Sequence, residues 1–329
     1  MVLEQASIRN DVLKADTNLK KLVDIEAYPV LPVLERLLQD KTTKQNIIFA
    51  TDAYLENGPD FTETSQITAG KLHGCCKIKI QPRVEKAAEE QFVRTRKKAE
   101  VFTPSWIVNK MNNHCDEEWF GRKNVFNTET ENGEMWVTNQ FPIQFDGKTT
   151  WKDYVDSRRL EITCGEAPYI VSRYDAATGK IIPIADRIGI LDRKLRVVHE
   201  NAADDEEWLK WAIRALQSSY GYEFQGDNLL VARVNVLVTF VENYTLRFDS
   251  QPDEKLLQKL ANIICWNFWQ MDGLTGTIPF NVPKQNILQT SFFDFFDDEP
   301  VGRTAPICRI MDWRKDCSIP YNEIGGENK

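Results

Sequence analysis

The chain has 329 residues, 42% of them hydrophobic and 27% charged, with 9 Trp and 17 Phe. That is the composition of a globular protein with ample core material, long enough for one large domain or two smaller ones. A net charge of −8 excludes a protein that coats nucleic acid nonspecifically, so any contact with DNA has to come from a local basic surface.

No run of about eighteen uncharged apolar residues occurs, and the opening "MVLEQASIRNDVLKAD" lacks the apolar centre of a signal peptide. The expected setting is the cytoplasm, with no membrane. Seven Cys, odd in number and scattered, read as reduced thiols. Neither His73, Cys75 and Cys76 nor the pair His114–Cys115 makes the two spaced ligand pairs of a zinc site, and no metal is expected.

In chain order, "DVLKADTNLKKLVDI" and "LPVLERLLQDKTTKQ" predict two helices divided near Pro29 and Pro32. "NIIFATDAYL" predicts a buried strand, the alternation Lys77-Ile78-Lys79-Ile80 another, and "RVEKAAEEQFVRTRKKAE" a charged helix. Thr103 as N-cap and Pro104 in the first turn open a further helix whose apolar face is Trp106, Ile107 and Met111. Residues 121–150 read as irregular loops or short hairpins.

From residue 160 strands and helices alternate. "LEIT" is a strand, "PYIVSRYD" a helix beginning at Pro168, and "DDEEWLKWAIRALQSSYG" an amphipathic helix with Trp208, Trp211, Ala212, Ala215 and Leu216 on one side. Asp204 and Glu207 have capping-box spacing there, and Gly221 is its expected C-cap. "YEF" is a short strand, and "GDNLLVARVNVLVTFVENY" and "EKLLQKLANIICWNFWQ" are two more helices. Such alternation predicts an α/β sheet with helices on both faces, after an N-terminal, mostly helical region. "SFFDFFDDEP" is either a loop anchored by its Phe residues or a partner-binding segment, and "PICRIMDW" an added edge strand.

In an α/β sheet, ligands bind beyond the carboxyl ends of the strands. "LEITCGEAPY" has the parts for this: Glu161 on the strand, Cys164-Gly165 as a tight turn, and Pro168 at the next element. Glycine lets a ligand approach the backbone without a Cβ in the way. Glu223 ends the next strand, where a carboxylate can accept bonds from two ribose hydroxyls. Asp272, in "WQMDGL", can accept a bond from an adenine amino group. The plainer alternatives are a strand–helix connection at 161–168, an exposed strand-end acid at Glu223 and an Asp-Gly turn at Asp272.

Four segments together resemble the adenine-specific DNA methyltransferases of restriction-modification systems. "KAEVFTPSWIVNKM" resembles their Thr-Pro segment, "LEITCGEAPY" their Cys-Gly cofactor loop, "YGYEFQGDNLLVARVN" the acidic segment that ends in Ala-x-x-Asn, and "WQMDGL" the later Asp segment. The resemblance covers about residues 90 to 275, with the segments in the family's order. It implies a Rossmann-like, class I S-adenosylmethionine-dependent methyltransferase fold over 96–329, with 1–95 as an N-terminal helical or mixed region. It further implies that S-adenosylmethionine contacts Thr103, Pro104, the loop Glu161, Cys164, Gly165, Glu166, Ala167 and Pro168, Glu223 at the ribose and Asp272 at the adenine. Double-stranded DNA would be the partner, with a specificity or restriction subunit.

Two features depart from the family. Its catalytic D/N/S-P-P-Y/F/W tetrapeptide, which holds the extruded adenine N6, is absent, because the chain contains no Pro-Pro pair. The nearest approximations are Thr277-Ile278-Pro279-Phe280 and, ranked ahead of it, Ser318-Ile319-Pro320-Tyr321, so Ser318, Pro320 and Tyr321 become the expected catalytic residues. No C-terminal target-recognition domain is evident after Asp272. The basic residues Arg94, Arg96, Lys97 and Lys98 are expected at DNA phosphates, and Arg187, Arg193, Lys194 and Arg196 at a cleft or at DNA. The alternative to a methyltransferase is a catalytically inactive DNA-binding or regulatory subunit of the same fold.

Overall fold

The computed structural model describes residues 21–73, 77–98, 100–101, 103–280 and 306–323. The first expected helix falls largely outside these residues, as do Cys75, Cys76 and "SFFDFFDDEP". Within them the protein mixes helix and strand around a parallel sheet. The helices are α1 (Leu34–Leu37), α2 (Ala69–Leu72), α3 (Ala88–Lys98), α4 (Ser105–Phe120), α5 (Trp151–Asp156), α6 (Ile190–Asn201), α7 (Asp205–Gln217), α8 (Gly226–Phe248) and α9 (Glu254–Asn267). The strands are β1 (Asn127–Glu129), β2 (Trp136–Thr138), β3 (Arg159–Glu161), β4 (Ser219–Glu223), β5 (Phe268–Gln270), β6 (Arg309–Asp312) and β7 (Cys317–Pro320).

Three of the strands form the parallel sheet, in the order β3-β4-β5, with Glu161 opposite Gly221 and Glu223 opposite Gln270. Helices α6 and α7 lie between β3 and β4 in the chain, and α8 and α9 between β4 and β5. Strand alternation turns Gly221 and Glu223 one way and Tyr220 and Tyr222 the other. One side meets the main core, where α8 is buried along most of its length. By length and hydropathy alone α8 could cross a bilayer, yet its surroundings are protein. On the other side, Tyr220, Tyr222 and Trp269 pack with Met271, Ile278, Cys308 and Ile310 under the antiparallel β6–β7 hairpin. The two-sided helical covering expected from the sequence is therefore one-sided among the described residues. The main core includes Leu22 through Ile80 as well as Phe126 through Phe268, and so runs across position 95.

Several local expectations are corrected. The element after Ala167 is a series of turns rather than a helix from Pro168. Asp192 Oδ2 on α6 accepts from Ser172 N and Oγ at 2.8 and 3.0 Å and from Gly189 N at 3.2 Å, so side-chain bonds fold this stretch onto the start of α6. Gly221 lies inside β4, and Ser218 is the C-cap of α7. Asp204 does cap α7, accepting from Glu207 N at 2.8 Å. The helix expected over 31–45 stops at Leu37, and at Asp40 a carboxylate oxygen takes Thr43 N and Oγ1 at 2.6 and 2.7 Å. "NIIFATDAYL" buries Ile47 and Phe49 but pairs only through two isolated bridges, Asn46 with Gln39 and Ile48 with Gln66. Ile78 and Ile80 are buried between exposed lysines, as the alternation predicts, without joining a ladder.

Helix α4 begins at Ser105 with Pro104 in the capping position and no cap from Thr103; Asp175 Oδ2 instead takes Ser105 N at 2.7 Å. Its buried face is largely polar: Val108 is joined by Asn109, Asn112 and Asp116, while Met111 is exposed. Arg193 of α6 explains this face, donating to Asp116 Oδ2 at 2.6 Å, Asn109 Oδ1 at 3.0 Å and Asn113 Oδ1 at 2.8 Å. A buried guanidinium needs such partners.

Candidate functional site

The turn after β3 is built from alternating left-handed residues: Thr163, Gly165 and Ala167 have φ of 46°, 53° and 64°. Glycine adopts this conformation freely, whereas Thr and Ala do so at a cost. Cys164 N donates to Tyr222 O at 2.8 Å, tying the turn to β4. Gly165 N donates to Glu223 Oε2 at 2.8 Å, and Gln225 N to Glu223 Oε1 at 3.1 Å. Tyr169 N reaches Glu161 Oε1 at 3.3 Å, while Glu161 Oε2 is buried without a hydrogen-bond partner. Glu166 accepts from Tyr174 Oη at 2.6 Å, and Asn235 Nδ2 of α8 donates to Glu166 O at 3.1 Å. The Asn of the Ala-x-x-Asn pattern thus holds the turn from beneath.

Burial dominates the electrostatics. It pushes the Glu161 carboxyl well above the usual range, the Tyr169 and Ile170 amides oppose it, and the nearby Glu223 charge adds to it. Glu223 and Glu166 are raised by burial too, against the pull of their donors. Burial also drives the Cys164 thiol well up, which removes the thiolate a nucleophile needs. Cys164 is a packing residue. Chemically, the turn presents two acidic acceptors beside a glycine backbone, a set suited to a ligand rich in hydroxyl or amino donors.

Gln225 leads from Glu223 into a buried charge cluster that composition does not reveal. Arg94 donates to Glu100 Oε2 at 2.7 Å, Asp227 Oδ2 at 2.8 Å and Gln225 Oε1 at 3.1 Å. Lys86 Nζ lies 3.6 Å from Asp227 and 3.9 Å from Glu100, and Tyr54 Oη donates to Asp227 at 3.0 Å. Asp227 is held below the usual carboxyl range: burial works against its charge, and Lys86 and Arg94 more than offset it. Glu100 is anchored in this cluster and Ser105 on Asp175, so the segment carrying Thr103 and Pro104 is pinned at both ends beside the start of α8. On another side, Gly226 lets the Ile48–Phe49 backbone approach the start of α8, because a Cβ there would lie 1.9 Å from Ile48 O.

The structure therefore brings the 161–168 turn, Glu223 and the flanks of Thr103–Pro104 together. Asp272 follows Met271, whose N donates to Glu223 O at 3.0 Å, and its carboxylate closes its own Asp-Gly turn, accepting from Leu274 N at 2.8 Å. Ser318 and Pro320 lie in β7, with Ser318 Oγ held by Arg309 Nε at 3.1 Å, and the Tyr321 ring packs 6.0 Å from Tyr222 and 5.9 Å from Trp269. They stand on the face of the sheet opposite Glu223. Of the expected phosphate contacts, Arg94 is buried in its cluster, while Arg96 and Lys97 are exposed. Arg193 is buried on Asp116, Lys194 is buried with Nζ on Ser157 O and Ser218 Oγ, Arg187 is paired with Glu242, and Arg196 is paired with Glu200. All four make their contacts inside the protein, Arg196 also donating to Phe126 O and Asn139 O.

Sequence reasoning passed over Lys86, Glu100, Asp227 and Asn235 as site-supporting residues. The signal for Asn235 was present, as the last residue of the quoted pattern; the other three are charges far apart in sequence that nothing local pairs. Among the described residues no group of three or more His, Cys, Asp or Glu could hold a metal. Compared with known proteins, the chain matches no family model, no curated protein and no solved structure.

Proposed function

We propose that this chain is an S-adenosylmethionine-binding protein with a Rossmann-like fold, related in design to adenine-specific DNA methyltransferases of restriction-modification or phage-defence systems. The observation that carries the reading is the meeting of Gly165 and Glu223: a glycine turn at the carboxyl end of one parallel strand touches an acid at the end of its neighbour. The residues present fit the cofactor, since Glu161 Oε2 is a buried polar atom without a partner and Glu223 lies beside it. Glu223 would receive the ribose hydroxyls and the turn would lie along the nucleoside. The Thr103–Pro104 segment would close one side.

Bound there, the cofactor would supply an activated methyl group for in-line transfer to an amino nitrogen. The chain's own part is to bind, orient and exclude water, since Cys164 offers no nucleophile.

A second reading is a cofactor-binding regulatory or DNA-binding subunit without catalysis. It is favoured by the position of Ser318 and Pro320 in β7 and Tyr321 just after it, on the hairpin over the sheet face that Glu223 does not share, with Tyr321 packed against that face. Transfer of tritiated methyl groups to unmethylated duplex DNA separates the two. Incorporation that depends on Glu223 supports the enzyme, and cofactor binding without incorporation supports the subunit.

A further inference from the structure

At the carboxyl end of β5 lies a cavity of about 230 Å³ that shares no residue with the proposed nucleoside crevice. Asp40, Thr43, Asn46, Ile48, Gln270 and the stretch Ile278–Phe280 form most of its lining. Asp40 is the only charged side chain among the lining residues, and it is 3% exposed. One of its oxygens takes both donors of Thr43, while Oδ1 is buried with no hydrogen-bond partner. Buried acceptors are rarely left unmatched, and leaving a charged one so is costly.

Of the other polar lining groups, Gln45 and Thr64 are exposed, while Gln270 and Asn46 are held inside the protein. Gln270 accepts from Ile48 N and donates to Ile48 O and Phe224 O, all at 2.8–2.9 Å, and Asn46 Nδ2 donates to Ile67 O at 2.9 Å. The unmet demand is for a donor. The apolar part of the wall is Ile48, Ile278, Pro279 and Phe280, and Phe280 has a φ of 65°, a left-handed backbone that is uncommon for a bulky residue. Its ring is held edge-on to Phe224 at 5.6 Å and is 43% exposed, beside the cavity.

We propose that this cavity binds a small organic monocation, an amine or amidine carried on one ring, with Asp40 as its counter-ion and Phe280 as a ring surface. Size supports the class, because a cavity of about 150 Å³ accommodates benzene, and the larger space here admits a ring with a charged substituent. A metal ion is the wrong occupant, since no three ligating side chains converge among the described residues. An anion would meet the Asp40 charge. A cation gains both from the carboxylate and from the aromatic face.

Benzylamine titrated calorimetrically into the full chain tests the proposal, with benzyl alcohol as its neutral counterpart. Saturable binding of benzylamine is expected, at least about tenfold tighter than benzyl alcohol and weakened by about tenfold or more in Asp40→Asn. Asp40 also shapes its own turn, so Thr64→Trp is the second variant: Thr64 is an exposed lining residue, and the indole would block the cavity with Asp40 intact. Loss of binding in Thr64→Trp supports the proposal even if Asp40→Asn unfolds. No saturable binding to the wild type, equal affinity for the alcohol, or unchanged affinity in Thr64→Trp overturns it.

Discussion

Glu223 and Gly165 are 58 positions apart and joined by a 2.8 Å hydrogen bond from the glycine amide to the Glu223 carboxylate. That bond couples the turn after β3 to the end of β4, so the placement of the two acids depends on both strands at once.

Ala167 closes the turn after β3, and its φ of 64° is a conformation that a glycine would adopt without strain. Left-handed strain of roughly 1–2 kcal/mol would be relieved in Ala167→Gly. Loss of a buried methyl costs about 0.8 kcal/mol, and the looser unfolded chain about 0.4–1 kcal/mol. Denaturant unfolding is expected to put the variant within about 1 kcal/mol of wild type, although Ala167 is fully buried. A loss well beyond that would mean the backbone there is relaxed.

Burial raises Glu161 well above the ordinary carboxyl value of 4.5. The folded state therefore holds this proton more tightly than the unfolded state. The resulting stability is complete below about 4.5 and is lost as pH rises toward the folded value. Gln mimics the protonated acid without titrating. The melting temperature of Glu161→Gln relative to wild type should thus be higher at pH 8 than at pH 5; no change in the difference between the two pH values would refute the assignment.

His199 works in the opposite sense. Its Nδ1 accepts from Trp208 Nε1 at 3.1 Å, which leaves Nε2 to donate to Asn243 Oδ1 at 3.2 Å, and burial lowers its pKa from 6.5 to about 4. The unfolded chain takes up a proton that the folded chain refuses, so stability is complete above 6.5 and lost as pH falls toward 4. The loss amounts to about 3 kcal/mol. Wild type minus His199→Gln, followed by chemical denaturation from pH 7 to pH 4, should shrink by about that much.

Removing Arg94 leaves Asp227 and Glu100 buried with Lys86 as their one cationic partner among the described residues. Arg94→Ala should cost roughly 3–5 kcal/mol, whereas Arg96→Ala, on the exposed side of the same helix, should stay within about 0.5 kcal/mol of wild type. Equal effects in urea unfolding would show that the cluster braces nothing.

These contrasts mark what the sequence could reveal. Helices α7, α8 and α9 were legible because their apolar residues recur with helical spacing over long spans, and Asp204 announced the start of α7. The turn and Glu223 were legible because a Cys-Gly pair and an acid each follow a short apolar run. The Pro168 stretch was misread because Ala167 takes a left-handed backbone and Asp192, 25 positions after it, captures Ser172. The basic stretches were misread because exposure cannot be inferred from charge: Arg94, Arg193 and Lys194 point inward to carboxylates, amides and carbonyls supplied by distant segments. The hairpin that carries Ser318 and Tyr321 covers Tyr220, Tyr222 and Trp269, a contact between segments that no local periodicity encodes.

The central claim is that the Gly165–Glu223 crevice holds S-adenosylmethionine. Calorimetric titration of that nucleoside into wild type and Glu223→Gln tests it most directly, with circular dichroism to verify that both are folded. The account predicts one saturable site in the wild type and a loss of affinity of about tenfold or more in the variant. No heat of binding in the folded wild type, or the same affinity in both proteins, would contradict it.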